Sequence, residues 1–247
     1  MVDDSWPALI LKAFEAVGGK KLISALLERK HYILVIGSTG AGKTALVGAL
    51  SSMEQQLVSV INRTERTTKK ALKIGKISTI LVDTPGEIGK LSSRMSEFSR
   101  FYQKSRVGII IVVSNGFHEY RSSDKSEIDT ADKLSEFILR HQKIELEYLE
   151  AFSSQFPYID QVDWAIVVAT KADLWWNTES IVLSKYRDSK FQHVAKKICR
   201  HGAAVRPFSS TTEPFMKTVP SAINFSESKR RDIRLNLIAS LIGQMAG

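Results

Sequence analysis

The chain has 247 residues, 43% of them hydrophobic, which makes one generous domain able to bury a core without disulfide or metal staples. Its single cysteine, Cys199, excludes an internal disulfide framework and suits a reducing, cytoplasmic compartment. The formal net charge of +9 leaves an anionic partner open, either nucleic acid or a membrane surface, although the basic residues are scattered and a solvated basic surface is the plainer explanation.

In chain order, the acidic start MVDDSW does not read as a secretory leader and lacks the glycine that myristoylation needs. Residues 1–30 read as an N-terminal helical extension. Trp6, Leu9, Ile10, Ala13, Phe14 and Val17 recur at helical spacing, Gly18-Gly19 interrupts, and Leu22, Ile23, Leu26 and Leu27 resume the pattern. Such a stripe can meet a membrane or a partner, but packing on the domain is its commoner use.

From residue 31 onward, strands and helices alternate. Residues 33–36 are a near-continuous apolar run, expected of a strand buried on both faces, and 44–53 follow as helix. A polar, threonine-rich stretch covers 62–70. Residues 71–74 and 77–82, parted by Gly75-Lys76, read as a hairpin. Val107–Val113 and Val162–Ala169 are further buried strands, and the first is far too short to span a bilayer. Helices are expected over 131–152, 181–201 and 226–245, with a last strand at 204–208. Residues 114–129 are polar and turn-rich, the best candidate for a mobile insertion. The alternation predicts an α/β three-layer sandwich, a mostly parallel six-stranded sheet with helices on both faces.

Three segments carry chemistry. Gly37-Ser38-Thr39-Gly40-Ala41-Gly42-Lys43-Thr44 fits the phosphate-loop pattern G-x-x-x-x-G-K-S/T between a strand and a helix. Glycines let successive N–H groups turn inward on an anion, and the following helix points its positive end at the same place. Lys43 would reach the outer phosphates and the Thr44 hydroxyl a magnesium ion. The segment ATKAD, residues 169–173, closes an apolar strand. Asp173 there can accept the paired N1 and N2 hydrogens of guanine, a donor pair that adenine lacks, and the stem of Lys171 can lie over a purine ring. DTPG, residues 83–86, closes another strand. Asp83 is placed to hold magnesium through water, and the Gly86 N–H can sense a third phosphate, which would make the segment after it a switch.

In that order on alternating strands, GSTGAGKT, DTPG and TKAD resemble the motifs of small GTPases of the translation-factor-related P-loop class, the Ras-like and Era-like G domain. The likeness runs over about residues 33–212. It implies the P-loop NTPase fold, with 31–247 as the G domain and surplus length around 114–161. It implies phosphate contacts from Ser38, Thr39, Gly40, Ala41, Gly42, Lys43, Thr44 and Ala45. It further implies base contacts from Thr170, Lys171, Asp173 and Leu174, and from Ser209, Ser210 and Thr211 in FSSTT. There Ser209 and Ser210 match a Ser-Ala pair that meets guanine mostly through its backbone, and Thr211 replaces the usual lysine. Magnesium would fall to Thr44, Asp83 and one switch threonine of NRTERTTKK. Thr64, Thr67 and Thr68 compete for that place, and Thr68 is favoured by likeness to the Thr-Thr-Arg switch of Era-like members. Lys43, Thr68, Gly86 and Glu87 would stand nearest the reaction.

Departures matter too. Glu87 occupies the position where Ras-like proteins carry the glutamine that orients water; a carboxylate there could orient or polarise water but would also repel the terminal phosphate. Thr170 stands where many members have asparagine, as in the Rho branch. Arg63 and Arg66 lie in the switch, where an arginine finger in cis competes with a solvated loop as their use. The five histidines show no zinc spacing, Trp175-Trp176 can cover the base, pack the core or anchor a partner, and Cys199 reads as inert. The implied activity is magnesium-dependent hydrolysis of GTP by a switch that answers to an effector or activating protein. A guanine-nucleotide-binding scaffold with little hydrolysis, and an ATP-using protein of the same fold, are the alternatives.

Overall fold

The computed structural model describes residues 31–51, 68–74, 77–83, 107–119, 130–157, 160, 162–187, 189–210, 215 and 219–246. The N-terminal helical extension expected over residues 1–30 lies outside them. So do residues 62–67, with Arg63, Thr64, Arg66 and Thr67, as well as Gly86, Glu87, Thr211 and residues 120–129.

Six strands make one sheet: β1 (His31–Ile36), β2 (Thr68–Ile74), β3 (Ile77–Asp83), β4 (Val107–Val113), β5 (Val162–Ala169) and β6 (Ala203–Pro207). Their spatial order is β2-β3-β1-β4-β5-β6. The pairings β3–β1, β1–β4, β4–β5 and β5–β6 are parallel, and the edge strand β2 runs antiparallel to β3. The expected hairpin is therefore present, with Ile74 opposite Ile77. It begins earlier than the composition suggests. Thr68, expected in a polar switch loop, is already the first residue of β2.

Among the described residues the α-helices are α1 (Lys43–Ser51), α2 (Ala131–Gln155), α3 (Ala172–Trp175), α4 (Glu179–Arg187), α5 (Lys190–Ala195) and α6 (Glu227–Ala246). The single helix expected over 181–201 is two. Ser189 accepts a hydrogen bond from the Phe191 N–H (3.1 Å) and so starts α5 afresh, a serine side chain outcompeting helix continuation. Beyond Ala195 the chain turns, so Cys199 sits in a buried turn rather than in a helix. Thr130 caps α2 through the Lys133 N–H (3.3 Å).

Strand alternation divides the core cleanly. Ile33 and Val35 of β1, Ile110 and Val112 of β4, and Trp164, Ile166 and Val168 of β5 face α1 and α6. Leu34, Ile36, Ile109, Ile111, Val113, Ala165 and Val167 face α2, α4 and α5. Covering both faces is what allows VGIIIVV to be buried along its whole length. Gly108 interrupts that run for a steric reason: a Cβ there would lie 2.0 Å from the Trp164 ring on the neighbouring strand. Within residues 114–161, α2 is a core helix, burying Phe137, Tyr148, Leu149 and Phe152.

Candidate functional site

The turn from β1 to α1 carries GSTGAGKT. A Cβ on Gly37 would sit 2.3 Å from the Val112 carbonyl oxygen, so only glycine lets the loop leave β1 this close to β4. Gly40 holds φ +82, the left-handed region, with Glu119 packed against it. Lys43, 7% exposed, folds back over the loop and donates from Nζ to the Gly37 carbonyl (2.8 Å) and the Ser38 carbonyl (3.0 Å). The ammonium is thus largely desolvated and held against the loop backbone. Thr44 and Ala45 lie in the first turn of α1, with its positive end.

The residues expected around a base stand at the ends of β5 and β6. The Phe208 N–H donates to the Ala169 carbonyl (2.8 Å) and the Ala172 N–H to the Phe208 carbonyl (3.0 Å), which joins the two strand ends. Thr170 is buried and its side chain binds backbone. Its hydroxyl proton is shared between the Ala41 carbonyl (2.7 Å) of the phosphate loop and the Val113 carbonyl (3.0 Å). Trp175 is buried and donates its indole N–H to the Thr170 carbonyl (2.9 Å), a structural use, and Trp176 packs edge-on to Phe225.

Asp173 is 3% exposed. Its Oδ1 accepts from the Ser209 hydroxyl (2.7 Å) and its Oδ2 from the Ser221 hydroxyl (3.1 Å). Burial pushes the carboxyl above its ordinary range, and these two hydroxyls offset part of that. Each oxygen has a second lone pair, so the carboxylate keeps acceptor capacity for a ligand. Lys171 takes a left-handed conformation (φ 55), donates to the Phe117 carbonyl (2.5 Å) and lies 3.6 Å from Glu119. Burial pushes its pKa down to about 8, against the pull of Glu119 and Asp173. Leu174 is partly buried and packs on the core.

Sequence reasoning missed two groups. Residues 114–119, read as the start of a mobile insertion, are largely buried and pack against the phosphate loop. The Glu119 N–H donates to the Gly40 carbonyl (3.3 Å), and His118 Nε2 lies 3.4 Å from the Ser38 hydroxyl. Glu145 of α2, wholly buried, holds this segment. Its Oε1 accepts from the Ser114 N–H (2.7 Å), the Gly116 N–H (3.2 Å) and His118 Nε2 (3.1 Å), and its Oε2 from the Tyr186 hydroxyl (2.7 Å). Burial raises the Glu145 pKa, but His118, Ser114 and Tyr186 together outweigh it and the net shift is downward. A signal was available. Helical spacing puts Glu145 in line with His141, Leu149 and Phe152 on the apolar face of α2, where an unpartnered charge has no place. The second missed group is arginine on α6. Arg234 donates from Nε to the Ser209 carbonyl (3.0 Å) and from Nη2 to the Ser210 carbonyl (2.7 Å).

The candidate magnesium donors converge at the level of the backbone. β2–β3 pairing sets Thr68 opposite Asp83, and β1–β3 pairing sets Val35, two residues before the phosphate loop, opposite Asp83 as well. Two hydroxyl-bearing residues and a carboxylate-bearing one are the hard oxygen chemistry that magnesium takes. Gly86, Glu87 and Thr211 lie outside the described residues.

A family model described as 50S ribosome-binding GTPase matches residues 32–149. The chain is 38% identical over 61 residues to GTPase Era of Acidimicrobium ferrooxidans, which is 24% of this chain and 21% of that protein. It therefore aligns with about a fifth of the length of that curated relative. The structure of a dimerization-deficient mutant of Toc33 from Arabidopsis thaliana superposes with a TM-score of 0.51 at 16% identity, over 96% of this chain and 89% of that one, which shows a shared fold. The chain is thus similar, over part of its length, to GTPases of the Era-like kind, and shares a fold with the Toc33 structure.

Proposed function

We propose that this chain, as a small P-loop GTPase of the Era- and Ras-like class, binds guanine nucleotide across the ends of β1, β5 and β6 and hydrolyses GTP to GDP and phosphate. The observation that carries the reading is the Thr170 hydroxyl on the Ala41 carbonyl (2.7 Å). It ties the phosphate loop to the segment bearing Asp173, which supports reading the two as parts of one nucleotide site.

In this reading the loop amides, residues 38–45, and Lys43 surround the phosphates. Asp173 accepts from guanine N1 and N2, with Lys171, Leu174 and the backbone of Ser209, Ser210 and Thr211 around the base. Thr44, Thr68 and Asp83 would hold magnesium, which supplies charge neutralisation on the outer phosphates when bound. Water attacks the terminal phosphorus in line. A bond forms from its oxygen to phosphorus while the bond to the bridging oxygen breaks, and Lys43 stabilises the charge leaving with GDP. Gly86 would sense the third phosphate and Glu87 would face the attacking water. Residues 62–70 and 87–100 would change shape between the two nucleotide states and present them to an effector or activating protein. We further propose a cytoplasmic place of action, with the +9 charge allowing peripheral contact with an anionic surface. No helix among the described residues is long and apolar enough to cross a membrane.

Single-turnover hydrolysis of GTP, with and without Lys43→Ala, is the test. The enzyme reading expects phosphate release that Lys43→Ala abolishes. Tight GTP binding with no release above background leaves the guanine-nucleotide-binding scaffold in its place. Displacement of labelled GDP by ATP as readily as by GTP overturns the guanine reading.

A further inference from the structure

We propose that Arg234, on α6 and outside every nucleotide motif, is the positioning residue that gives the Ser209–Ser210 peptide its selectivity for a 6-oxopurine. The inference rests on the guanine reading above. Its starting point is a two-pronged contact: Nε to the Ser209 carbonyl (3.0 Å) and Nη2 to the Ser210 carbonyl (2.7 Å). The planar guanidinium, with donors at fixed angles, suits such a grip in a way that lysine does not.

Three further contacts single out this loop. Ser209 is tied through its hydroxyl to Asp173 (2.7 Å), so its carbonyl end and its side-chain end are both held. Arg230, one helical turn earlier on α6, lies with Nη1 3.5 Å from the same Ser210 carbonyl and is steadied by Glu227. Arg234 also lies over the Phe208 ring, 5.8 Å from its centre, which fixes the side chain from below. Partial burial costs the guanidinium some solvation and pulls its pKa down, a penalty that would not be met for a merely solvated charge.

The chemical consequence follows from the peptide group. The Ser209 carbonyl and the Ser210 N–H belong to one conjugated plane. A cation on that oxygen draws electron density from the nitrogen and makes its N–H a stronger donor. It also fixes the plane, and with it the direction of the N–H. A 6-keto oxygen on the base accepts from such a donor. The 6-amino group of adenine presents hydrogens in that place and is repelled. Asp173 reads the N1 and N2 edge, and the Arg234-held peptide reads position 6 beside it.

The experiment measures affinities of the full chain for GDP, ADP and inorganic pyrophosphate in the wild type, Arg234→Met and Arg234→Lys. Arg234→Met is expected to reduce the preference for GDP over ADP about tenfold, the scale of a lost charged hydrogen bond, with pyrophosphate affinity unchanged. Arg234→Lys, able to hold one carbonyl but not both, should fall between. Equal losses for GDP, ADP and pyrophosphate would mean a role in the fold alone and overturn the proposal, as would an unchanged preference. If Arg234→Met does not fold, Arg234→Lys decides, and a wild-type preference in it overturns the proposal. A wild type that does not prefer GDP sinks the guanine reading itself, a result distinct from the others.

Discussion

Asp173 shows how much one carboxylate can be asked to do. Its neighbours are two serine hydroxyls and no cation within bonding distance among the described contacts, and burial raises its pKa. A folded pKa above the unfolded one means that the folded chain binds the proton more tightly. Stability is therefore greatest below the ordinary carboxylate range and is lost as pH rises through the folded value. Above that value the ionised group is a cost to the fold, offset when a ligand donates to it. Asp173→Asn is thus expected to leave the melting temperature of the nucleotide-free protein unchanged or raised at pH 7. The same change should weaken GDP at least about tenfold, because an amide cannot accept both guanine hydrogens. Calorimetric melting and GDP titration of the same preparation read both effects. A large fall in nucleotide-free stability would contradict this account of Asp173.

At the scale of elements, α2 is more than a cover for the sheet. It delivers Glu145 to the segment that follows β4, and that segment lies against Gly40 and Ser38 of the phosphate loop. Replacing Glu145 by alanine strips the acceptor from the Ser114 and Gly116 N–H groups, from His118 Nε2 and from the Tyr186 hydroxyl in a dry interior. A loss of about 3 kcal/mol is expected, in the range for breaking a buried charged network. The net shift of Glu145 is downward, so its contribution is present above the ordinary carboxylate range and fades as pH falls through the folded value. Denaturant titrations should therefore show the gap between wild type and Glu145→Ala narrowing in acid. A gap that stays constant with pH would mean that the carboxylate charge is not what holds the segment.

For the whole molecule, the deciding feature is the sheet and its two separately packed faces. Gly108 and Trp164 lie on adjacent strands at the face covered by α1 and α6, within the same core but outside the candidate site. Gly108→Ala forces a methyl into the indole, 2.0 Å away, and overpacking of this kind costs about 1–3 kcal/mol. A lowered melting temperature with GDP affinity retained is expected, and Trp164→Phe in the same chain should restore part of the loss. Lost GDP affinity in a folded Gly108→Ala protein would show that strain at this face reaches the site.

The sequence by itself determined what is local. Apolar runs flanked by turns marked β4 and β5 to the residue, because a doubly covered strand must be apolar throughout. GSTGAGKT marked the strand-turn-helix because its geometry is written in consecutive glycines, and the same local logic placed Gly75-Lys76 between β2 and β3. What only the tertiary structure decided is who partners whom across long intervals. The Thr170 hydroxyl clasps Ala41, and residues 114–119 pack on the phosphate loop, contacts that neither segment announces in sequence. Glu145, Ser221 and Arg234 carried no motif at all. Their significance comes from hydrogen bonds formed once burial has removed water. No local pattern records those partners, because burying a polar group only requires that some partner be met, wherever in the chain it lies.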